Sequence, residues 1–137
     1  MSERKLVYIA SPYAGNREAN VRFAKAACRY AIEQGETPVA VHLMYPQILS
    51  DDIPAERDLG MHMGLRVLET CDELWLCGNH ISAGMRAELC QAEKLGIPVR
   101  MVTAEEIEQA QSRNGFEKAA VQEKTDVPQP RMELCGC

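Results

Sequence analysis

The fold is decided by residues 73–96, which read ELWLCGNHISAGMRAELCQAEKLG. This stretch contains a short apolar strand, a loop with Ser82 and Gly84, and an amphipathic helix. A strand, a loop of small residues and a helix N-terminus form a corner whose unpaired N–H groups and helix dipole attract anions. Glu88 lies early in the helix, so its carboxylate is a candidate nucleophile toward a ligand at this corner. The alternative interpretation is a solvated helix residue.

Outward from this stretch, apolar runs and helical periodicities alternate along the chain. We predict strands over Lys5–Ala10, Thr37–His42, Glu73–Cys77 and Ile97–Val102. We predict helices over Arg17–Gln34, Pro54–Thr70, the segment that ends at Gly96, and Ala104–Gln111. Such alternation predicts a parallel sheet that helices cover on both faces. The expected fold is a small doubly wound α/β sandwich, Rossmann- or flavodoxin-like, with a mainly parallel sheet of roughly four or five strands.

Composition excludes several classes of function. The chain has 137 residues, a net charge of −5 and no long block of Lys or Arg, which argues against nucleic acid as a partner. It has no apolar run of about 18 residues, so we expect no membrane span. The first residues lack the apolar region of a signal peptide, and we expect a cytoplasmic protein.

We predict one α/β domain over residues 1–112 and a flexible tail over residues 113–137, where the apolar periodicity ends. Cysteines at apolar positions of the predicted elements are interpreted as small hydrophobic residues. Because no cysteine or histidine has zinc-ligand spacing, we predict no metal site. We also predict no cofactor, because the functions considered below require none. The terminal Cys135-Gly136-Cys137 is either part of a floppy tail or a metal-binding or redox-active segment.

Ligands of such sheets bind outside the carboxyl ends of the strands, and this rule selects the candidate site residues. At this edge we predict ligand contacts from Tyr8, Ser11, Tyr13, Gly15, Arg17, His42, Asn79, Ser82, Gly84 and Met85. Glu88 is close enough along its helix to reach the same edge. Asp72 precedes its strand, so it lies at the opposite edge and we interpret it as a capping or structural residue.

Two of these candidates have structural alternatives, and one group suggests a phosphate site. Tyr8 lies one pleat from the end of its strand, where its hydroxyl either faces the pocket or is bonded inside the core. His42 is either structural or part of the cleft. The residues around the N-terminus of the first helix combine hydroxyl groups, a glycine and Arg17, which suits a phosphate.

Three motifs, YIASPYAG at 8–15, SAGMRAE at 82–88 and GIPV at 96–99, resemble the nucleoside 2-deoxyribosyltransferase-like superfamily. The resemblance covers about residues 5–102, and the chain looks most like small phage and bacterial proteins grouped under a domain of unknown function. It implies that Tyr8 matches a strand-end tyrosine, and that Glu88 matches the glutamate that attacks C1′ of the sugar. The resulting glycosyl-enzyme ester is resolved by a second base or by water. It also implies a homo-oligomer.

The function expected from this resemblance is hydrolysis or transfer of the N-glycosidic bond of a nucleoside or a nucleoside 5′-monophosphate. One departure supports an alternative. Relatives carry a helical aspartate where this chain has Gly64, and Asp58 and His62 do not share its helical face. Loss of that partner favours a non-catalytic module that binds or senses nucleotides. A structural or interaction role is a third possibility. Met61 and Met63 suit either an interface or the core.

Overall fold

The structure, a computed structural model, describes residues 4–13 and 15–112. Its elements are β1 (Leu6–Ala10), α1 (Arg17–Glu33), β2 (Thr37–Val39), α2 (Pro54–Leu68), β3 (Glu73–Cys77), α3 (Ala83–Leu95) and β4 (Val99–Val102). Residues 104–112 are also helical and are called α4. Two short 3-10 turns, Val41–Leu43 and Tyr45–Gln47, lie between β2 and α2. The predicted tail and its cysteines lie outside the described residues.

The four strands form one sheet in the order β2-β1-β3-β4, and every pairing is parallel. Tyr8 stands in the middle of the sheet, paired with Val39 on one side and Leu74 on the other. The predicted doubly wound α/β fold is confirmed. Because the central strands are buried on both faces, they consist of nearly continuous apolar residues.

Alternation along each strand divides the core into two layers. Val7, Ile9 and Trp75 face one layer, which α1 and α4 cover. Tyr8 and Leu74 belong to the other layer, where Leu68 of α2 and Met85 of α3 pack against the sheet. Tyr8 therefore points toward the two helices that flank the candidate corner.

The second strand is shorter than predicted. β2 ends at Val39, and His42 lies in the first 3-10 turn rather than at the end of a strand. The apolar pattern of the segment reflects burial instead of strand pairing, because Val41 turns into the core layer that contains Tyr8. The 3-10 turns carry the chain over the end of β1, where the candidate ligand site was expected.

The buried side of α2 is defined by Gly64 and Leu68. The apolar side chain of Leu59 on the same helix is 49% exposed. α2 turns its small residue inward because Tyr8 and Val41 already fill the space opposite Gly64. This close approach defines the floor of the cavity described below.

Local capping signals agree with the structure. The Ser82 hydroxyl accepts a hydrogen bond from the Met85 N–H at the start of α3, and Gly96 ends that helix in the left-handed conformation. Thr103 and Glu106 form a capping box at the start of α4. At the opposite edge, the Asp72 carboxylate accepts a hydrogen bond from the Leu6 N–H, which is a structural role.

No helix in residues 4–13 and 15–112 is long and apolar enough to cross a membrane.

Candidate active site

A cavity of about 430 Å³ opens at the carboxyl edge of the sheet. This volume is within the range of small-molecule sites, which is roughly 300–1,000 Å³. Its walls come from the end of β1 and the following loop, the two 3-10 turns, the first half of α2 and the N-terminal turns of α3. The predicted residues that line it are Tyr8, Ser11, Tyr13, His42, Ser82, Gly84 and Glu88.

One buried hydrogen bond joins the two sides of this cavity. The Tyr8 hydroxyl donates to Oε2 of Glu88 at 2.6 Å. Tyr8 is completely buried and Glu88 is 3% exposed. A short bond between a phenol and a carboxylate is of the strong, charge-assisted kind. It holds the Glu88 side chain of α3 against β1, one of the two central strands of the sheet.

Burial changes the acid–base properties of both groups. It raises the pKa of Glu88 to about 7, while the hydrogen bond from Tyr8 lowers that pKa and opposes part of the shift. The pKa of Tyr8 is raised strongly, first by burial and then by the neighbouring Glu88 charge. Tyr8 therefore remains a hydrogen-bond donor at all physiological pH values, and Glu88 changes charge close to neutral pH.

Two buried polar atoms of the cavity have no hydrogen-bond partner among the described residues. They are Oγ of Ser11 and Oε1 of Glu88. Buried polar atoms in native proteins nearly always find a partner, and unsatisfied ones concentrate where a ligand or water binds. Both atoms therefore indicate where a polar ligand would be held.

The predicted phosphate site is altered by ion pairing. The Arg17 guanidinium lies 3.3 Å from a carboxylate oxygen of Asp51 and 3.4 Å from one of Asp52. It also covers the ring of Tyr13, which in turn stacks on the ring of His42. Arg17 thus packs on the ring of Tyr13, and the two carboxylates compensate its charge. It does not line the cavity.

Three other predicted contact residues also lie outside the cavity lining, and two of these have other roles. Gly15 does not line the cavity and adopts a positive φ in the loop before α1. The side chain of Asn79 accepts the Ala104 N–H at the start of α4. Met85 is buried in the core beneath α3. A position at the carboxyl edge is therefore not sufficient for a residue to line the cavity. Its side chain must also point toward α2.

Sequence reasoning missed the wall formed by the 3-10 turns and by α2. The additional polar or charged lining residues are Tyr45, Ser50, Asp51, Glu56, Arg57 and Asp58. The unusual length of the connection before α2 was a signal for this wall. Asp58 lines the cavity although it lies on a different helical face from Gly64, because the start of α2 forms the rim and its middle forms the floor. His62 does not line it, and Met61 is part of the wall.

Comparisons with known proteins are consistent with this description. Residues 5–102 match the family described as a domain of unknown function (DUF7768). The solved structure of the 2-deoxyribosyltransferase from Bacillus psychrosaccharolyticus matches with a TM-score of 0.55 and 21% identity, over 72% of each chain. That protein is described as a biocatalyst for the synthesis of antiviral and antitumoral nucleosides. This likeness shows a shared fold. Among curated proteins, none matches.

The buried carboxyl group gives a testable dependence of stability on pH. The folded-state pKa of Glu88, about 7, is above the unfolded value, so between these two pKa values the folded state binds more protons. Stability contributed by protonated Glu88 is therefore lost as the pH rises through about 7. At about pH 8 we expect Glu88→Gln to be more stable than the wild type by about 2–3 kcal/mol. At about pH 4 we expect the difference to be small.

Urea unfolding at both pH values measures this difference. Glu93→Gln is the matched control, because Glu93 is an exposed carboxyl on the same helix. An equal effect of Glu88→Gln at the two pH values would contradict the raised pKa.

Proposed function

We propose that this chain, which belongs to the family described as a domain of unknown function (DUF7768), cleaves or transfers the N-glycosidic bond of a nucleoside through Glu88. The observation that carries the proposal is the asymmetric environment of this carboxyl group. Tyr8 holds Oε2 at 2.6 Å, whereas Oε1 is buried and has no partner in the part of the chain that the structure describes. The fold shared with a 2-deoxyribosyltransferase supports the same class of reaction.

The proposed reaction uses Oε1 as the nucleophile. It attacks C1′ of the sugar and forms an ester, while the bond from C1′ to the base breaks and its electron pair leaves with the base. The departing base takes up a proton from water. A second base or a water molecule then attacks C1′ and releases the carboxylate of Glu88. A fixed carboxylate suits this chemistry because the transition state has oxocarbenium character.

Tyr8 prepares the nucleophile in this proposal. Its hydrogen bond lowers the pKa of Glu88, which burial alone would raise further. A substantial fraction of Glu88 is therefore ionised near neutral pH. The same bond directs the second oxygen toward the cavity, so the carboxylate is oriented before a substrate binds.

We propose Asp58 as the second carboxylate of the site. Asp51 is paired with Arg17, and the Glu56 carboxylate accepts the Ser50 N–H. Asp58 lines the same cavity and forms no side-chain hydrogen bond or ion pair with other described residues. It is therefore free to accept a hydrogen bond from a sugar hydroxyl, a role for which Gly64 offers no side chain.

The charges of the site favour a nucleoside over a nucleoside 5′-monophosphate. Arg17, the cation expected to hold a phosphate, is balanced by Asp51 and Asp52. Burial lowers the pKa of His42, so this side chain is neutral near pH 7 and supplies no positive charge. The carboxylates of the cavity outnumber its cations, and a phosphate dianion would be repelled.

We also propose a homo-oligomer, as the resemblance implies. Apolar side chains adjacent in sequence to lining residues are exposed in a single chain, among them Met44, Ile48 and Leu59. A second copy that covers them would bury this apolar surface. The alternative function, a module that binds nucleosides or nucleotides without cleaving them, is favoured by Gly64, because this position supplies no second carboxylate beside the Tyr8–Glu88 pair.

Substitutions of the two carboxylates test the mechanism. We expect Glu88→Gln to reduce the release of free base from 2′-deoxynucleosides by at least about 10³-fold, because the amide cannot form the ester. We expect Asp58→Asn to reduce it by about tenfold to a hundredfold, through poorer orientation of the sugar. Chromatography of the free base measures both rates, with Glu93→Gln as the control. Mass spectrometry detects the glycosyl ester.

The outcomes separate the alternatives. Unchanged base release by Glu88→Gln would show that Glu88 is not the nucleophile. If the wild type is stabilised thermally by nucleosides but releases no base on long incubation, the protein is the non-catalytic module.

A second experiment tests the preference for an uncharged ligand. At equal concentrations, a 2′-deoxynucleoside should raise the melting temperature of the wild type more than the corresponding 5′-monophosphate does. The double variant Asp51→Asn, Asp52→Asn removes a carboxylate from the cavity lining and leaves the nearby charge of Arg17 uncompensated, so we expect its affinity for the monophosphate to rise by about tenfold. Stronger binding of the monophosphate by the wild type would contradict the proposal.

A further inference from the structure

We propose that Gly64 is a positioning residue, and that the absence of a side chain there allows the Tyr8 hydroxyl to reach Glu88. The geometric part of this proposal stands on contacts alone, and its relevance to catalysis rests on the proposed function. In this interpretation Gly64 has a role of its own. It provides the space that the Tyr8–Glu88 pair needs, in addition to lacking the carboxylate that relatives carry at this position.

The space around Gly64 is already filled. A Cβ atom built on it would lie 3.0 Å from the Tyr8 hydroxyl oxygen and 3.4 Å from Cγ2 of Val41. Non-bonded heavy atoms prefer a separation of about 3.5–4.0 Å, so the hydroxyl would have to shift by several tenths of an ångström. Tyr8 has little freedom to do so at its backbone, which pairs with strands on both sides.

The hydroxyl and Glu88 are 2.6 Å apart, so such a shift acts directly on their hydrogen bond. Both side chains are buried, and burial favours the neutral form of Glu88. A weaker hydrogen bond from Tyr8 would lower the pKa of Glu88 less, so the neutral form would be favoured more. The protonation of Glu88 therefore reports the position of the Tyr8 hydroxyl.

Other charged or titratable groups surround the same cavity and would respond to different changes. They are His42 and Tyr45 from the 3-10 turns, and Asp51, Glu56, Arg57 and Asp58 from the following loop and α2. Cys71 also lies near enough to Tyr8 to influence it. Within the described residues, Tyr8 is the group hydrogen-bonded to the Glu88 carboxylate. A change in the pKa of Glu88 in a Gly64 variant would thus be attributable to Tyr8.

The chain contains its own matched control. Gly60 lies one turn earlier on α2, and a Cβ built there would meet Cδ1 of Leu49 at an ordinary 3.8 Å. Alanine is a better helix former than glycine in a helix interior. Gly60→Ala should therefore gain helix stability without a clash, whereas Gly64→Ala gains the same backbone advantage together with the contact to Tyr8.

A nuclear magnetic resonance titration of ¹³C-labelled glutamate tests the proposal without requiring turnover. We expect the pKa of Glu88 to rise by about half a unit or more in Gly64→Ala, toward its value in Tyr8→Phe. Gly60→Ala should titrate as the wild type does. A Gly64→Ala protein in which Glu88 titrates like the wild type would overturn the proposal.

Thermal unfolding of the double variant Tyr8→Phe, Gly64→Ala provides the second measurement. Without the hydroxyl, the alanine no longer meets an oxygen, so we expect it to raise the melting temperature as Gly60→Ala does. In the wild-type background we expect Gly64→Ala to lower it. Equal effects in both backgrounds would show that Gly64 does not act through Tyr8. If no variant releases base, the proposed function fails, while these two readouts still decide the role of Gly64.

Discussion

The hydrogen bond between Tyr8 and Glu88 is the constraint on which the rest of the site depends. It joins the central strand to α3 across 80 residues of sequence. Both partners lie in the core layer, where an unpaired carboxylate would be very unfavourable. The candidate site depends on this bond, because it holds one oxygen of a cavity-lining carboxylate and leaves the other buried without a partner among the described residues.

The parallel sheet makes this bond possible. In a doubly wound sheet the loops that follow the strands collect at one edge, so β1 and the N-terminal turns of α3 meet there. The order β2-β1-β3-β4 then leaves the crossover from β2 to β3 to close the pocket with its 3-10 turns and α2. Most of the charged groups of the cavity thus come from this crossover, chiefly from the first turns of α2.

Local signals in the sequence were sufficient for the framework and for half of the pocket. Capping groups, the glycine after α3 and the apolar central strands depend on neighbouring residues, and their interpretation agreed with the structure. The burial of Gly64 and the place of Asp58 in the cavity lining depend on how closely α2 approaches Tyr8 and Val41. A short sequence pattern does not determine the distance between a helix and a sheet. For the same reason, Asn79 and Met85 satisfied the edge rule yet face other elements.

The charged groups near the stack of Arg17, Tyr13 and His42 differ from the Tyr8–Glu88 pair in their exposure to solvent. The pairs from Arg17 to Asp51 and Asp52 lie at the surface, with Asp52 83% exposed. Dissolved ions screen such pairs within a Debye length of about 8–10 Å at ordinary salt concentrations. Dissolved ions screen the buried Tyr8–Glu88 pair much less. Ionic strength therefore acts on the ion pairs that join the start of α1 to the loop before α2, and much less on the buried hydrogen bond between Tyr8 and Glu88.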